Sequence, residues 1–474
     1  MSTAASGRAF AFGGAAWLFP MVLAVAVTPF VARGLGAEGY GIWAWAGAFV
    51  TFGLFPFLGR ALLARSAARP DPSAALRELL PAALTVAAAV LPLLGAALSG
   101  AALLLAPPVA GAGVAALAVA PVVVLAGLQQ LLLAVPQGAG RFDLAARASV
   151  LGSVAWAVAA LTTIAAGGGP GALTLALGAG PLASTVFLLV AAVRLLGRKA
   201  VHPGASGGPR ELTGFAGAVL LAHSAGGLYL LVERAALARL ASPAEVAFFA
   251  APAALAMQLH SAAWAATRGF LPAVAAAPAG ERLRIYGEAL IEVVPPVAVM
   301  AATLAVVSGP LLGLWLGPVW AEVARTPLAL LALAFGALAV LVVPWELAEA
   351  SAVPGRTVAL SAAWLVAGGA TALFLAPRLG AEGAALGRST IVLFAVPFVR
   401  SVERAAFGAT AGGAWRRPLA RSVALGGGAA AAEAVALALA GPGAGGLLLA
   451  LAAGAPFLLA AARPLLAGSG ARGR

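Results

Sequence analysis

The chain contains no cysteine and no asparagine, a single lysine (Lys199) and three histidines (His202, His223, His260) among 474 residues. Without cysteine there is no disulfide, no thiol nucleophile and no thiolate metal site. The three histidines share no i, i+4 spacing and offer no metal cluster. Charge is scarce too: 9% of residues are charged, against the roughly 25% that covers a soluble domain. The Gly-rich strings Gly167–Gly169 and Gly426–Gly428 lack a following Lys-Ser/Thr, so there is no nucleotide-binding P-loop. Links between apolar runs do not exceed about twenty residues, which leaves no room for a catalytic domain. No enzyme activity, cofactor or metal is expected.

What is abundant is hydrocarbon. Apolar residues make up 62% of the chain and the mean hydropathy is +1.02. Most of the surface must face lipid, and the runs are too long and too unalternating for barrel strands. The fold class expected is an all-α polytopic membrane protein with about fourteen helices. The runs predict spans over 9–31, 42–63, 79–105, 113–135, 147–166, 171–196, 212–233, 246–266, 287–316, 327–349, 358–377, 382–402, 419–440 and 444–466. Residues 1–29 resemble a signal peptide, but without a small-x-small cleavage site they read as the first span. Pro295-Pro296 should kink the ninth.

Charge asymmetry supports this count. With the N-terminus in the cytoplasm, 23 of the 29 basic residues fall on the cytoplasmic side and 6 elsewhere, as the positive-inside rule requires. Both termini are then cytoplasmic in a bacterial inner membrane. The net charge of +13 is topological, favours membrane lipids as partners and does not point to nucleic acid.

Landmarks recur along the chain. Arg33 is matched by Arg239, Glu38 by Glu245, Arg60 by Arg268, Gly140-Arg141 by Gly355-Arg356, and Gly171-Ala172 by Gly383-Ala384, at spacings from 206 to 215 residues. Six spans separate the copies, so they share one orientation: two pseudo-symmetric six-helix bundles in a parallel repeat. The expected organisation is a lobe over 1–206, a second over 207–405, and two extra helices with a tail over 406–474.

In such a fold, chemistry appears as ionisable groups inside spans, which cost about 2.5–3.5 kcal/mol each at a helix centre unless a cavity or partner receives them. Arg60 and Arg268 lie at matching inner ends and, with the intramembrane Arg388, could bind phosphate or pyrophosphate bidentately; the alternative for the first two is anchoring by snorkelling. Glu233, Arg234 and Arg239, with Arg33 and Glu38 of the first outer loop, form a candidate outer gate or an interfacial charge cluster. Glu346 and Glu349, one turn apart, and Glu292 beside Pro295-Pro296 are candidates for ion coupling, with helix-end solvation as the alternative. Glu433 stands outside the repeat, which suggests a lipid or partner contact. Gln129 and Gln130 either line a polar path or bond between helices.

The string Pro29-x-x-x-Arg33-x-Leu35-Gly36-x-Glu38-x-Tyr40-Gly41 resembles the end of the first helix and the first external loop of bacterial oligosaccharide flippases. These belong to the multidrug/oligosaccharidyl-lipid/polysaccharide exporter superfamily. Gly53-Leu54 before Arg60, Glu233-Arg234, Leu240–Phe249, Phe270-Leu271-Pro272, Leu314–Gly317, Gly355-Arg356 and Leu379–Ala385 follow in family order. Departures are Glu233 in place of the usual Asp and an aromatic displaced to Phe248. The resemblance implies a transporter that moves a polyprenyl-pyrophosphate-linked oligosaccharide by alternating access through a cationic cavity. It also implies coupling to H+ or Na+ and a glycan polymerase complex as a partner. The alternatives are a multidrug/cation antiporter or a peptidoglycan-precursor lipid flippase.

Overall fold

The computed structural model describes residues 3–53, 57–67, 69, 71–201, 226–267, 270, 274, 277–351, 353, 355–408 and 413–471. Among the described residues there are helices and no strands. Eleven stretches are long and apolar enough to cross a membrane, and two of them, Leu18–Phe52 and Gly355–Phe407, hold more than one predicted span. Each of the fourteen expected spans has a helical counterpart, although the seventh is described only from residue 226. The chain forms two compact units, Met1–Ala247 and Phe248–Arg474.

In the first unit, Asp71 starts the helix Pro72–Leu105: its Oδ1 accepts the N–H groups of Ser73 (2.9 Å) and Ala74 (3.0 Å), and Pro72 fills the first turn, where its missing N–H costs nothing. Small residues then draw helices together. A Cβ on Gly95 would lie 2.8 Å from the Ala120 carbonyl oxygen, and Ser99 Oγ donates to Ala116 O at 2.7 Å. These tie Pro72–Leu105 to Ala112–Gly138. Ser184 Oγ donates to Ala148 O at 2.8 Å and ties Ala179–Leu196 to Phe142–Ala165. With no hydrophobic force between helices in lipid, such close approach and hydrogen bonding supply the attraction. Around them Leu62, Leu76, Leu79, Leu131 and Val135 form the buried core. Outside the spans, Asp143 binds Arg141 through two 2.9 Å bonds and holds its guanidinium above the usual value.

The second unit is built on Ala279–Val306, which packs against Arg325–Val340, Arg416–Ala440 and Ala444–Ala471. Its core includes Tyr286, Val294, Leu347 and Val402. Pro295 and Pro296 lie inside an unbroken helix, and the interruption comes later, at Val307. Arg416–Ala440 shows which solvent the surface meets: Leu439 is 81% exposed while Glu433 is fully buried.

The expected polar turn over Thr28–Gly41 is not a loop. The helix continues through Pro29, breaks only at Gly36 (φ 66°, ψ 176°) and resumes. Thr28 Oγ1 donates to Ala24 O at 2.8 Å in the turn before the proline, and membrane helices tolerate Pro. Gly380 (φ 52°, ψ −130°) breaks the helix Gly355–Ser389 in the same way. Both corners carry the pentapeptide Leu-Gly-Ala-Glu-Gly, at Leu35–Gly39 and Leu379–Gly383. Its second residue must reach a left-handed φ that only glycine adopts without strain.

Candidate functional site

In the first unit, the helix after the Gly36 corner meets the segment around Pro243. A Cβ on Gly41 would overlap the Pro243 carbonyl, so backbone lies on backbone. The two outer segments matched by the repeat are therefore in direct contact. Arg234 reinforces the junction: its Nη1 donates to Ala44 O at 2.6 Å, and its charge stands near the buried Tyr40 hydroxyl. Tyr40 packs edge-on against Trp43 with ring centroids 5.2 Å apart. Glu233, adjacent in sequence, is fully buried. Arg239 lies in the π-helical turn Leu237–Ala241 and its Nη1 donates to Ala106 O at 2.9 Å. Ala106 is the cap residue just past Pro72–Leu105, where a cation suits the helix dipole. Arg33 and Glu38 stand on the exposed rim of the corner.

Arg60 is exposed on Phe57–Ala67. Its neighbour Gly59 presses on Ala112–Gly138, where a Cβ would lie 2.5 Å from Gln130 O. The helix bearing Arg60 thus rests on the Gln130-Leu131 step. Arg268 lies outside the described residues.

In the second unit, Arg388 is nearly buried, at 6% exposure. Its guanidinium carbon lies 4.9 Å from the Phe335 ring centre, 5.8 Å from that of Trp364 and 5.9 Å from that of Phe249. Trp364 Nε1 donates to Arg388 O at 3.2 Å, which fixes one ring against the backbone it covers. Three aromatic faces can hold a guanidinium where water cannot. His260 lies near this group and accepts from Trp264 Nε1 at 2.9 Å. The structure places Arg388 in the second unit and Arg60 in the first.

Glu346 is buried, and its Oε1 accepts from Thr267 Oγ1 at 3.3 Å. Thr267 directly precedes Arg268 in sequence. Glu349 is half-buried and accepts from Trp345 Nε1 at 2.9 Å, and Glu292 is half-buried on Ala279–Val306. Glu433 does not face lipid. Thr303 Oγ1 donates to its Oε1 at 2.6 Å, and a Cβ on Gly454 would overlap the same oxygen. It sits in a joint of three helices. Among the described residues no group of three or more His, Cys, Asp or Glu could hold a metal.

Sequence reasoning named Tyr40 and Phe249 only as members of motif strings and did not single out Thr267, Phe335 or Trp364. Tyr40 and Thr267 lie within a few residues of candidate charges, but their partners come from distant helices. The repeated Leu-Gly-Ala-Glu-Gly was the readable signal for the two corners.

No protein-family model and no curated protein matches the sequence. Solved structures do. The lipid II flippase MurJ, in its inward closed conformation, superposes with a TM-score of 0.73 over 96% of this chain and 99% of its own, at 11% identity. An inward-facing multidrug resistance MATE family transporter of the MOP superfamily gives 0.56 over 84% of this chain and 95% of its own, at 14% identity. The Vibrio cholerae MATE transporter VcmN gives 0.56 over 85% and 98%, at 18% identity. The chain shares the fold of these solved transporters.

Proposed function

We propose that the protein is a transporter that flips a polyprenyl-pyrophosphate-linked oligosaccharide from the inner to the outer leaflet of the bacterial cytoplasmic membrane. It works by alternating access between lobes 1–206 and 207–405, with 406–474 as an added hairpin, both termini cytoplasmic, and an H+ or Na+ gradient as the driving force. The observation that carries this reading is the extent of the likeness to MurJ, a lipid II flippase, which spans almost the whole chain. The likeness to the MATE transporters covers less of the chain, 84–85%.

Charge supports the same direction. Arg60, Arg268 and Arg388 offer guanidiniums at or inside spans, suited to a pyrophosphate and repulsive to a cationic drug. Glu346, with Thr267 as donor, is the candidate for carrying the coupling ion, with Glu349 and Glu292 beside it in the proposal. The contact of Gly41 with Pro243, flanked by Arg33, Glu38, Glu233, Arg234 and Arg239, is read as the outer gate. A glycan polymerase complex is the expected downstream partner. The same likeness to MurJ equally supports a second reading, with a peptidoglycan-precursor lipid as substrate.

The test is transfer in proteoliposomes. A fluorescent polyprenyl-pyrophosphate oligosaccharide should become accessible to an outside quencher faster with the protein, and faster still under an ion gradient. Transfer of lipid II alone would select the second reading. Gradient-driven efflux of a cationic dye without lipid transfer would replace both with an antiporter.

A further inference from the structure

The second unit contains a small crevice of about 70 Å3, partly open, whose walls are almost wholly apolar. Val294, Leu341, Pro344 and Val399 line it, and Trp415 and Leu419 close it. Its lining comes from Ala279–Val306, the turn from Val340 to Pro344, Ile391–Phe407, Arg416–Ala440 and Trp415 just before the last of these.

What distinguishes this crevice from any gap between lipid-facing helices is its rim. Arg400 follows Val399 directly, and its guanidinium carbon lies 5.7 Å from the centre of the Trp415 ring. Arg404 lies one turn further on, and Arg416 and Arg417 sit between Trp415 and the lining residues Pro418 and Leu419. All four arginines are exposed. They share one end of the bundle because Ile391–Phe407 and Arg416–Ala440 are joined there by a short link. The buried Glu403 lies beside Gly413, Trp415 and the Tyr286 hydroxyl, on the same helix as Arg400 and Arg404.

We propose that this crevice binds an anionic phospholipid, one acyl chain in the apolar cleft and the phosphate among Arg400, Arg404, Arg416 and Arg417. An apolar cleft below and a cluster of guanidiniums above match the two ends of one amphiphile and no water-soluble ligand. Basic pockets between membrane helices are the general chemistry of anionic headgroup capture. A tryptophan at the boundary suits the interface between chain and headgroup. The site is independent of what the protein transports.

Bromolipid quenching of the full chain in bilayers tests it, with the Trp415 signal taken as the difference between wild type and Trp415→Phe. Phosphatidylglycerol with brominated chains should quench Trp415 at mole fractions roughly fivefold or more below those needed for brominated phosphatidylcholine, about the gain one basic residue gives near an anionic surface. Arg400→Gln/Arg416→Gln/Arg417→Gln should remove the preference, and Val399→Trp, which fills the cleft, should protect Trp415 from both lipids. Unbrominated phosphatidylglycerol should compete in the wild type, which gives the same reading if a variant fails to fold, while inorganic phosphate should not. Equal quenching by the two lipids overturns the proposal. So does a preference that survives the arginine substitutions, displacement by phosphate alone, or protection of Trp415 that tracks dimer formation, which would mean that a second copy covers the crevice.

Discussion

Gly41 lies so close to Pro243 that a Cβ on it would come within 2.5 Å of the Pro243 carbonyl carbon and would overlap its oxygen. No rotamer change relieves a clash with backbone, so Gly41→Ala must push two helix starts apart. The expected cost is about 1–3 kcal/mol, read as a lower thermal midpoint in detergent, together with slower transport if this contact forms in each cycle. Gly47→Ala, on the same helix with open space around it, should change neither.

Arg60→Ala and Arg268→Ala should each abolish lipid-linked sugar transfer while leaving membrane insertion and yield normal. If these arginines only anchor the chain at headgroups, transfer will survive both substitutions. Arg60→Lys is informative beside them, because it keeps the charge but loses the bidentate fork.

Glu346 and Thr267 should act as a pair in ion coupling. Glu346→Gln keeps the size and the bond to Thr267 but cannot exchange a proton, so the dependence of transfer on pH or sodium should flatten. Thr267→Val should shift that dependence without removing it. An unchanged profile in Glu346→Gln would reduce the carboxyl to a helix-pairing group.

For Arg388, the rings of Phe249, Phe335 and Trp364 favour a flat guanidinium over an ammonium. Arg388→Lys should lower stability by about 0.5–2 kcal/mol, measured by thermal unfolding. A substrate-binding role would add a loss of transfer larger than the loss of folded protein explains.

The Thr303–Glu433 bond offers a stability test away from the proposed gate. Thr303→Val should cost about 0.6 kcal/mol and not more than about 1.7, the range for hydrogen bonds between membrane helices. Gly454→Leu should cost more, because its side chain would enter the volume that holds Glu433 Oε1.

The spans were legible because hydropathy and charge bias are properties of continuous stretches. The run Gly113–Val135, for example, became Ala112–Gly138 with its ends moved only slightly. Chain direction changes were less legible. A link was expected between the spans 9–31 and 42–63, yet helix fills most of it and the turn is confined to Gly36, where φ is positive. Partners were least legible. The rings around Arg388 come from positions 249, 335 and 364, and nothing in local periodicity joins such distant residues. Glu433 looked like a surface feature because it lay outside the repeat, but an unpaired carboxyl is costlier in lipid than in a helix joint with a hydroxyl donor.

The corners at Gly36 and Gly380 leave no slack between consecutive helices. A single inserted residue at either would rotate the following helix by about 100° and carry its packed stripe around toward lipid. Evolutionary change in chain length must therefore be absorbed elsewhere, as in the link after Phe407. The two glycines act as fixed marks from which the angular register of the next helix is counted.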